Sequence, residues 1–142
     1  MSFMIKVVPY SDAHFDGVDA LWQEVFPNDP PWNRASLAIP EKLAFQSELF
    51  LVAQDGDQVL GTAMAGYDGH RGWLYTIAVK PNSQRNGIGS LLLGEAERRL
   101  RALGCGKINL QIRAGNEAVA AFYRRHGYEV EERVSMGKRL SK

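Results

Sequence analysis

Seven residues, Gln84-Arg85-Asn86-Gly87-Ile88-Gly89-Ser90, constrain this chain more than any other stretch. They join an apolar, strand-like run (Trp73 to Val79) to a long amphipathic pattern (Ile88 to Leu103). Glycines at 87 and 89 let the backbone turn tightly and approach a ligand with no Cβ in the way. A helix opening here leaves its first N–H groups unpaired and carries partial positive charge at that end. Together these features make a cradle for a phosphate or pyrophosphate, with Arg85 as a charge at its rim. The same glycines also suit a plain structural turn. A Walker loop is excluded, because no Gly-Lys-Ser/Thr follows the second glycine. The dinucleotide fingerprint fails too, since its third glycine falls on Leu92. What remains is Gln/Arg-x-x-Gly-x-Gly/Ala after a strand ending in Ala78-Val79-Lys80-Pro81.

A chain of 142 residues fits one compact domain, and residues 1–142 are expected to form it. Hydrophobic residues at 45% and charged residues at 23% are ordinary for a soluble globular fold. A formal net charge of +1 gives no special attraction to nucleic acid or membrane, and neither is expected as a partner. Cys105 is the only cysteine, so an internal disulfide is impossible and the chain reads as cytoplasmic. Its setting, Gly104-Cys105-Gly106, has no histidine nearby in sequence and suits a packed thiol better than a nucleophile. The early charges and Pro9 rule out a signal peptide reading. No apolar run is long enough to span a bilayer.

In order, Met4 to Val8 reads as a strand, and Ser11 or Asp12 caps a helix with Phe15, Val18, Leu21, Trp22, Val25 and Phe26 on its inner stripe. Pro27 to Asn33 breaks it, either as a connector or as a wall of an acceptor pocket presenting Trp32. Another helix follows, with Asn33 as candidate cap and Pro40 leaving open whether it is one helix or two. Asp55-Gly56-Asp57 marks a hairpin between Phe50–Ala53 and Val59–Tyr67. The small residues Gly61, Ala63, Ala65 and Gly66 prepare the second strand for close packing under a helix. Tyr67 to Gly72 turns into Trp73–Val79, and His70 in that turn is read as solvated. No metal-ligand spacing surrounds it, so no metal is expected. The helix after the loop has Ile88, Leu91, Leu92, Ala96, Leu100 and Leu103 on one face and ends at Gly104. Lys107–Arg113 alternates as a strand. Asn116 opens a last helix, with Val119, Ala120, Phe122 and Tyr123 inward and Gly127 as its stop. Tyr128–Val134 and Ser135–Leu140 read as two closing strands. The order is β–α–α–β–β–β–α–β–α–β–β, an α/β sheet of mixed direction.

That order, the strand Ile77-Ala78-Val79, the loop Gln84 to Ser90, Asn116, and Ala121-Phe122-Tyr123 before His126-Gly127-Tyr128 resemble the GNAT N-acetyltransferases over nearly the whole chain. Within that family, Tyr67-Asp68-Gly69-His70-Arg71-Gly72 and Gly137-Lys138-Arg139-Leu140 are similar to the small bacterial acetyltransferases of the YpeA type. The resemblance implies the GNAT acyl-CoA N-acyltransferase fold, a mostly antiparallel mixed sheet of about seven strands flanked by about four helices. It implies acetyl-CoA as co-substrate, its pantetheine arm on the backbone of Ile77, Ala78 and Val79. The pyrophosphate would lie on Gln84, Arg85, Asn86, Gly87, Ile88, Gly89 and Ser90. Asn116 would bond the cofactor or fix its turn, and Tyr123 would lie near the sulfur as the acid for the leaving thiolate. A phenol of pKa ~10 still holds its proton at neutral pH.

The departures concern the base. Some family members carry a glutamate on the strand before the loop, but Trp73-Leu74-Tyr75-Thr76-Ile77 has no acid. The N-acetyltransferases of ribosomal proteins are similar around Leu110-Gln111-Ile112-Arg113 but have glutamate where Gln111 stands. The resemblance therefore implies direct transfer to a primary amine of a small molecule or peptide in a ternary complex, with a low-pKa amine or a water chain in place of a residue base. A non-catalytic acyl-CoA-binding or sensing module is the alternative. Monomer and homodimer are both compatible with the chain.

Overall fold

The computed structural model describes residues 4–141, and at Arg85 the backbone alone. The chain falls into two compact units, Met1–Gln111 and Ile112–Lys142. In the first, a five-stranded sheet runs in the order β1 (Ile5–Pro9), β2 (Phe50–Asp55), β3 (Gln58–Tyr67), β4 (Gly72–Val79) and β5 (Ile108–Leu110). The first three pairings are antiparallel and β4–β5 is parallel. Pro9, which has no N–H to give a ladder, closes the edge strand β1, a position that tolerates it.

Three helices belong to this unit: α1 (Phe15–Val25), α2 (Ala35–Leu43) and α3 (Ile88–Ala102). Val18, Leu21 and Trp22 of α1 and Ala35 and Ile39 of α2 bury against Phe50, Val52, Val59 and Ala78. Inside that cluster the Trp22 indole N–H donates to Thr62 Oγ1 at 2.9 Å, which satisfies two groups that burial would otherwise penalise. Pro40 lies within α2, which continues past it as one helix. Its N-cap is Arg34, not Asn33. Ahead of α1, Asp12–His14 forms a short 3-10 turn, and Ser11 N–H donates to His14 Nδ1 at 2.9 Å. That bond leaves the proton on Nε2, which donates to Gln54 Oε1 at 2.7 Å.

Gly61 explains how α3 reaches the sheet. A Cβ there would stand 2.8 Å from Ala78 O, 3.0 Å from Leu92 Cδ1 and 3.1 Å from Ile88 Cγ2. Without it, the first turn of α3 settles directly on β3. The buried row of α3 is Ile88, Leu92, Leu93, Ala96 and Leu100. This corrects the expected stripe: Leu91 and Leu103 are 49% and 47% exposed, whereas Leu93 is fully buried. The 88-92-96-100 row follows the four-residue ridge of a helix, and Leu93 lies beside it. Gly104 N–H bonds Arg101 O and Cys105 N–H bonds Leu100 O, the paired bonds of a Schellman motif.

The second unit contains α4 (Glu117–Arg125). Its expected closing strands, Tyr128–Val134 and Ser135–Leu140, form no ladder among the described residues, so the sheet has five strands where about seven were expected. Alternating side chains mark strand propensity, but a strand exists only where another backbone takes its N–H and C=O groups. The strand expected over Lys107–Arg113 is likewise reduced to Ile108–Leu110, for a reason that bears on the site.

Candidate active site

The register between β3 and β4 slips at one place: Met64 pairs with Thr76, but Ala65 pairs with Leu74. Tyr75 is thus the extra residue of a β-bulge, which bends its strand and raises the local twist. The parallel pairing with β5 joins Gly72 to Ile108, Trp73 to Asn109 and Leu74 to Leu110, and goes no further. Past the bulge β4 keeps β3 on one side, with Ile77 opposite Ala63, Ala78 opposite Thr62 and Val79 opposite Gly61. On the other side it has no strand among the described residues. Such an edge offers backbone donors and acceptors to an extended ligand.

The free edge runs into the glycine loop. Lys80 N–H is tied to Leu60 O at 2.8 Å and Ser83 N–H to Lys80 O at 2.8 Å. Pro81–Asn86, including Gln84, Arg85 and Asn86, forms a 3-10 turn, and Gln84 Nε2 donates to Val79 O at 3.5 Å. Gly87 then takes φ 74°, ψ 17° as the N-cap of α3. This left-handed conformation favours glycine, and the cap residue has no side chain with which to close the first turn. No acid stands in that turn. Ile88 is fully buried and anchors the helix end in the core, whereas Asn86, Gly87 and Ser90 are exposed and Gly89 is half-buried. The structure thus brings Ile77, Ala78, Val79 and Gln84 to Ser90 together as one continuous main-chain track.

On the α2 side of β4 lies a cleft of about 350 Å³. Its walls are Phe45, Tyr67, Trp73 and Tyr75, and Lys42, Gln46, Gly66 and Asp68 complete it. Gly66 lets the Tyr75 ring lie close over β3, where a Cβ would stand 3.0 Å from it. Gln46 holds the end of β3 by two bonds, Nε2 to Tyr67 O at 2.7 Å and Tyr67 N–H to Oε1 at 2.9 Å. Asp68 Oδ1 accepts from His70 N–H at 2.8 Å and Arg71 N–H at 2.7 Å. These bonds hold its carboxyl below the usual carboxylate range. His70 itself is exposed. Trp32 is 42% exposed in a 3-10 turn, Pro31–Asn33, and is not among the residues lining this cleft. Sequence reading missed Lys42 and Tyr75, since nothing local distinguishes a lysine on an amphipathic helix or an aromatic in a strand. Adjacent to the bulge, Thr76 Oγ1 is enclosed without a hydrogen-bond partner.

In the second unit, Asn116 is the N-cap of α4 and its Oδ1 accepts from Val119 N–H at 3.3 Å. Of its two expected roles, fixing the turn is the one its bonding displays. Tyr123 is 8% exposed. Burial pushes its phenol up to about 12, and no hydrogen bond reaches its hydroxyl among the described residues. A second Schellman motif sets its surroundings: Gly127 N–H bonds Arg124 O and Tyr128 N–H bonds Tyr123 O. The reversal stacks the Tyr128 ring edge-on against Tyr123 at 5.5 Å, and Phe122 approaches at 5.1 Å. Among the described residues no group of three or more His, Cys, Asp or Glu is gathered as for a metal ion. None of the described helices is long and apolar enough to cross a membrane.

A mixed sheet whose fourth strand frees one edge at a bulge, and then runs into an open helix N-terminus, defines an α/β domain suited to an extended, phosphate-ended ligand. The chain belongs to the acetyltransferase (GNAT) family, whose profile it matches over residues 15–128. It is 40% identical over 139 residues to an acetyltransferase of Sodalis glossinidius, covering 96% of this chain and 94% of that one. An acetyltransferase of Yersinia enterocolitica is 38% identical over 138 residues, with 96% and 94% covered. Among solved structures, the PaiA N-acetyltransferase of Thermoplasma acidophilum, in complex with coenzyme A, superposes with a TM-score of 0.79 at 22% identity, covering 94% of each chain. The fold is therefore the GNAT fold.

Proposed function

We propose that this protein is an acetyl-CoA-dependent N-acetyltransferase that moves the acetyl group directly to a primary amine of a small molecule or peptide. The observation that carries the reading is the main-chain track from Tyr75 to Ser90. The co-substrate's pantetheine arm lies along Ile77, Ala78 and Val79 and takes the groups of Ile77 and Val79 that point away from β3, since Ala78 between them turns its own N–H and C=O toward Thr62. Its pyrophosphate takes N–H groups of the turn and of the first residues of α3, with Arg85 in that turn. The match of the family profile across both compact units supports treating residues 1–142 as one acetyltransferase domain.

In the reaction the amine nitrogen attacks the thioester carbonyl, the new C–N bond forms and the C–S bond breaks. The proton lost by nitrogen ends on sulfur. Tyr123 serves the departing sulfur as donor. With its phenol at about 12, full transfer to a thiolate of ordinary pKa near 8.5 is uphill by roughly 5 kcal/mol. The phenol therefore acts chiefly by hydrogen bonding the developing charge, and the amine proton completes the balance.

No carboxylate stands on Trp73–Val79, and Gln111 cannot accept a proton at neutral pH. Bringing a lysine-type ammonium of pKa ~10.4 to its neutral form at pH 7 costs about 4.6 kcal/mol, against roughly 1 to 1.4 for an α-amino group. The protein accordingly favours amines of low pKa. Calorimetric titration with acetyl-CoA, followed by assay of free CoA over a panel of amines, tests the reading. Tight binding with no CoA release from any amine would support a sensing module in its place.

A further inference from the structure

Lys42 is the most unusual charged residue of the first unit. It is only 9% exposed, and its ammonium donates to Ala65 O. The Tyr75 ring centroid lies 6.0 Å away. An ammonium has three donors, and among the described residues no carboxylate lies within ion-pair range of this one. A buried cation without a counter-ion is costly unless something supplies the missing charge. Consistently, burial holds the Lys42 amine below its ordinary pKa, while the more distant Glu48 pulls the other way.

Lys42 lines the cleft beside β4, whose rings include Phe45 and Tyr75, 71% and 59% exposed. Aromatic walls with one buried charged group at their base describe a small-molecule site. We infer that this cleft binds the carboxylate of a small, flat-bodied amine, with Lys42 as its counter-ion and the rings of Trp73 and Tyr75 against its body. Asp68 sets the charge limit. Its carboxylate lines the same cleft and is kept ionised by two turn N–H groups, so a dianion such as phosphate meets repulsion that a single negative charge offsets through Lys42. Because Tyr75 is both a wall of the cleft and the bulge where the free edge of β4 begins, a ligand held here lies beside the proposed acetyl-CoA track. Calling that ligand the acceptor rests on the acetyltransferase reading; carboxylate binding does not.

The test compares L-phenylalanine, L-phenylalaninamide and phenethylamine as ligands of the wild-type protein by calorimetry, with inorganic phosphate as a separate arm. Phenylalanine should bind about tenfold or more tightly than the other two, the worth of one charge-assisted contact. Lys42→Met, checked for folding by circular dichroism, should erase that difference. The ligand-side comparison needs no variant, so a misfolded Lys42→Met does not shelter the inference. Equal binding of the three amines, no binding of phenylalanine, or a preference that survives in folded Lys42→Met overturns it. Phosphate competing as well as phenylalanine overturns the choice of a carboxylate. Acetylation of phenethylamine and phenylalanine with equal efficiency and affinity sinks this site and leaves the transferase reading standing. A Lys42-dependent carboxylate preference with no acetylation of any amine does the reverse.

Discussion

The two sides of β4 are built on opposite principles. Toward the loop and α3, the proposed recognition is made of main chain: a strand edge freed by a bulge, a left-handed glycine, and a helix start whose cap residue carries no side chain. Toward α2, the inferred cleft is lined by side chains from α2, its C-terminal exit, β3 and β4, with one buried lysine among them. A main-chain surface grips what all ligands of a family share, because peptide groups are the same in every sequence. A side-chain surface can change residue by residue while the sheet stays put.

That contrast is broken most severely by Gly87→Val. A β-branched residue at φ 74° forces the loop out of its left-handed conformation, and acetyl-CoA affinity should fall by at least about a hundredfold, measured by calorimetry. The Lys42 cleft should meanwhile retain its ligand preference. If Gly87→Val binds acetyl-CoA normally, the main-chain site is not where it is placed.

Tyr123→Phe should lower kcat roughly 10- to 100-fold with little change in acetyl-CoA affinity, as expected for one hydrogen bond to developing charge. Turnover at the wild-type rate would remove Tyr123 from the chemistry. The same variant has a stability signature. The folded-state pKa of about 12 exceeds the unfolded value near 10, so the folded chain keeps a proton that the unfolded chain has lost. This contribution is intact below pH ~10 and is lost as pH climbs toward ~12, amounting to about 2 to 3 kcal/mol. Thermal melts should therefore show a shallower alkaline decline for Tyr123→Phe than for wild type.

Gly61→Ala sharpens the comparison from the packing side. The new methyl group meets Ala78 O, a backbone atom that cannot swing away, and a loss of about 1 to 3 kcal/mol is expected in denaturant unfolding. Because the neighbours are Ile88 and Leu92, acetyl-CoA affinity should weaken with it more than carboxylate binding does. The smallest effect belongs to Thr76→Val. Removing the enclosed, unpartnered hydroxyl should leave stability unchanged or raise it by up to ~1 kcal/mol. A clear destabilisation would show that the hydroxyl has a bound partner in solution.

What the amino-acid sequence determined by itself is local. Gly87 between an apolar run and a helical stripe permits a left-handed cap, a conformation that glycine alone takes freely. Gly104 and Gly127 stop their helices for the same reason, and Asn116 caps α4 through an oxygen three residues from its donor. Element order as far as α4 and the tight turn at Gly87 were legible on these grounds. The tertiary structure decided everything that needs a partner from elsewhere in the chain. Tyr75 became a bulge only through the register of β3, β5 shortened because the bend took its partner away, and the closing segments formed no ladder because alternation provides no second backbone. Lys42 is an ordinary helix lysine until α2 is laid across β3 and β4. Burial and charge pairing are sums over neighbours distant in sequence, and no window along the chain contains them.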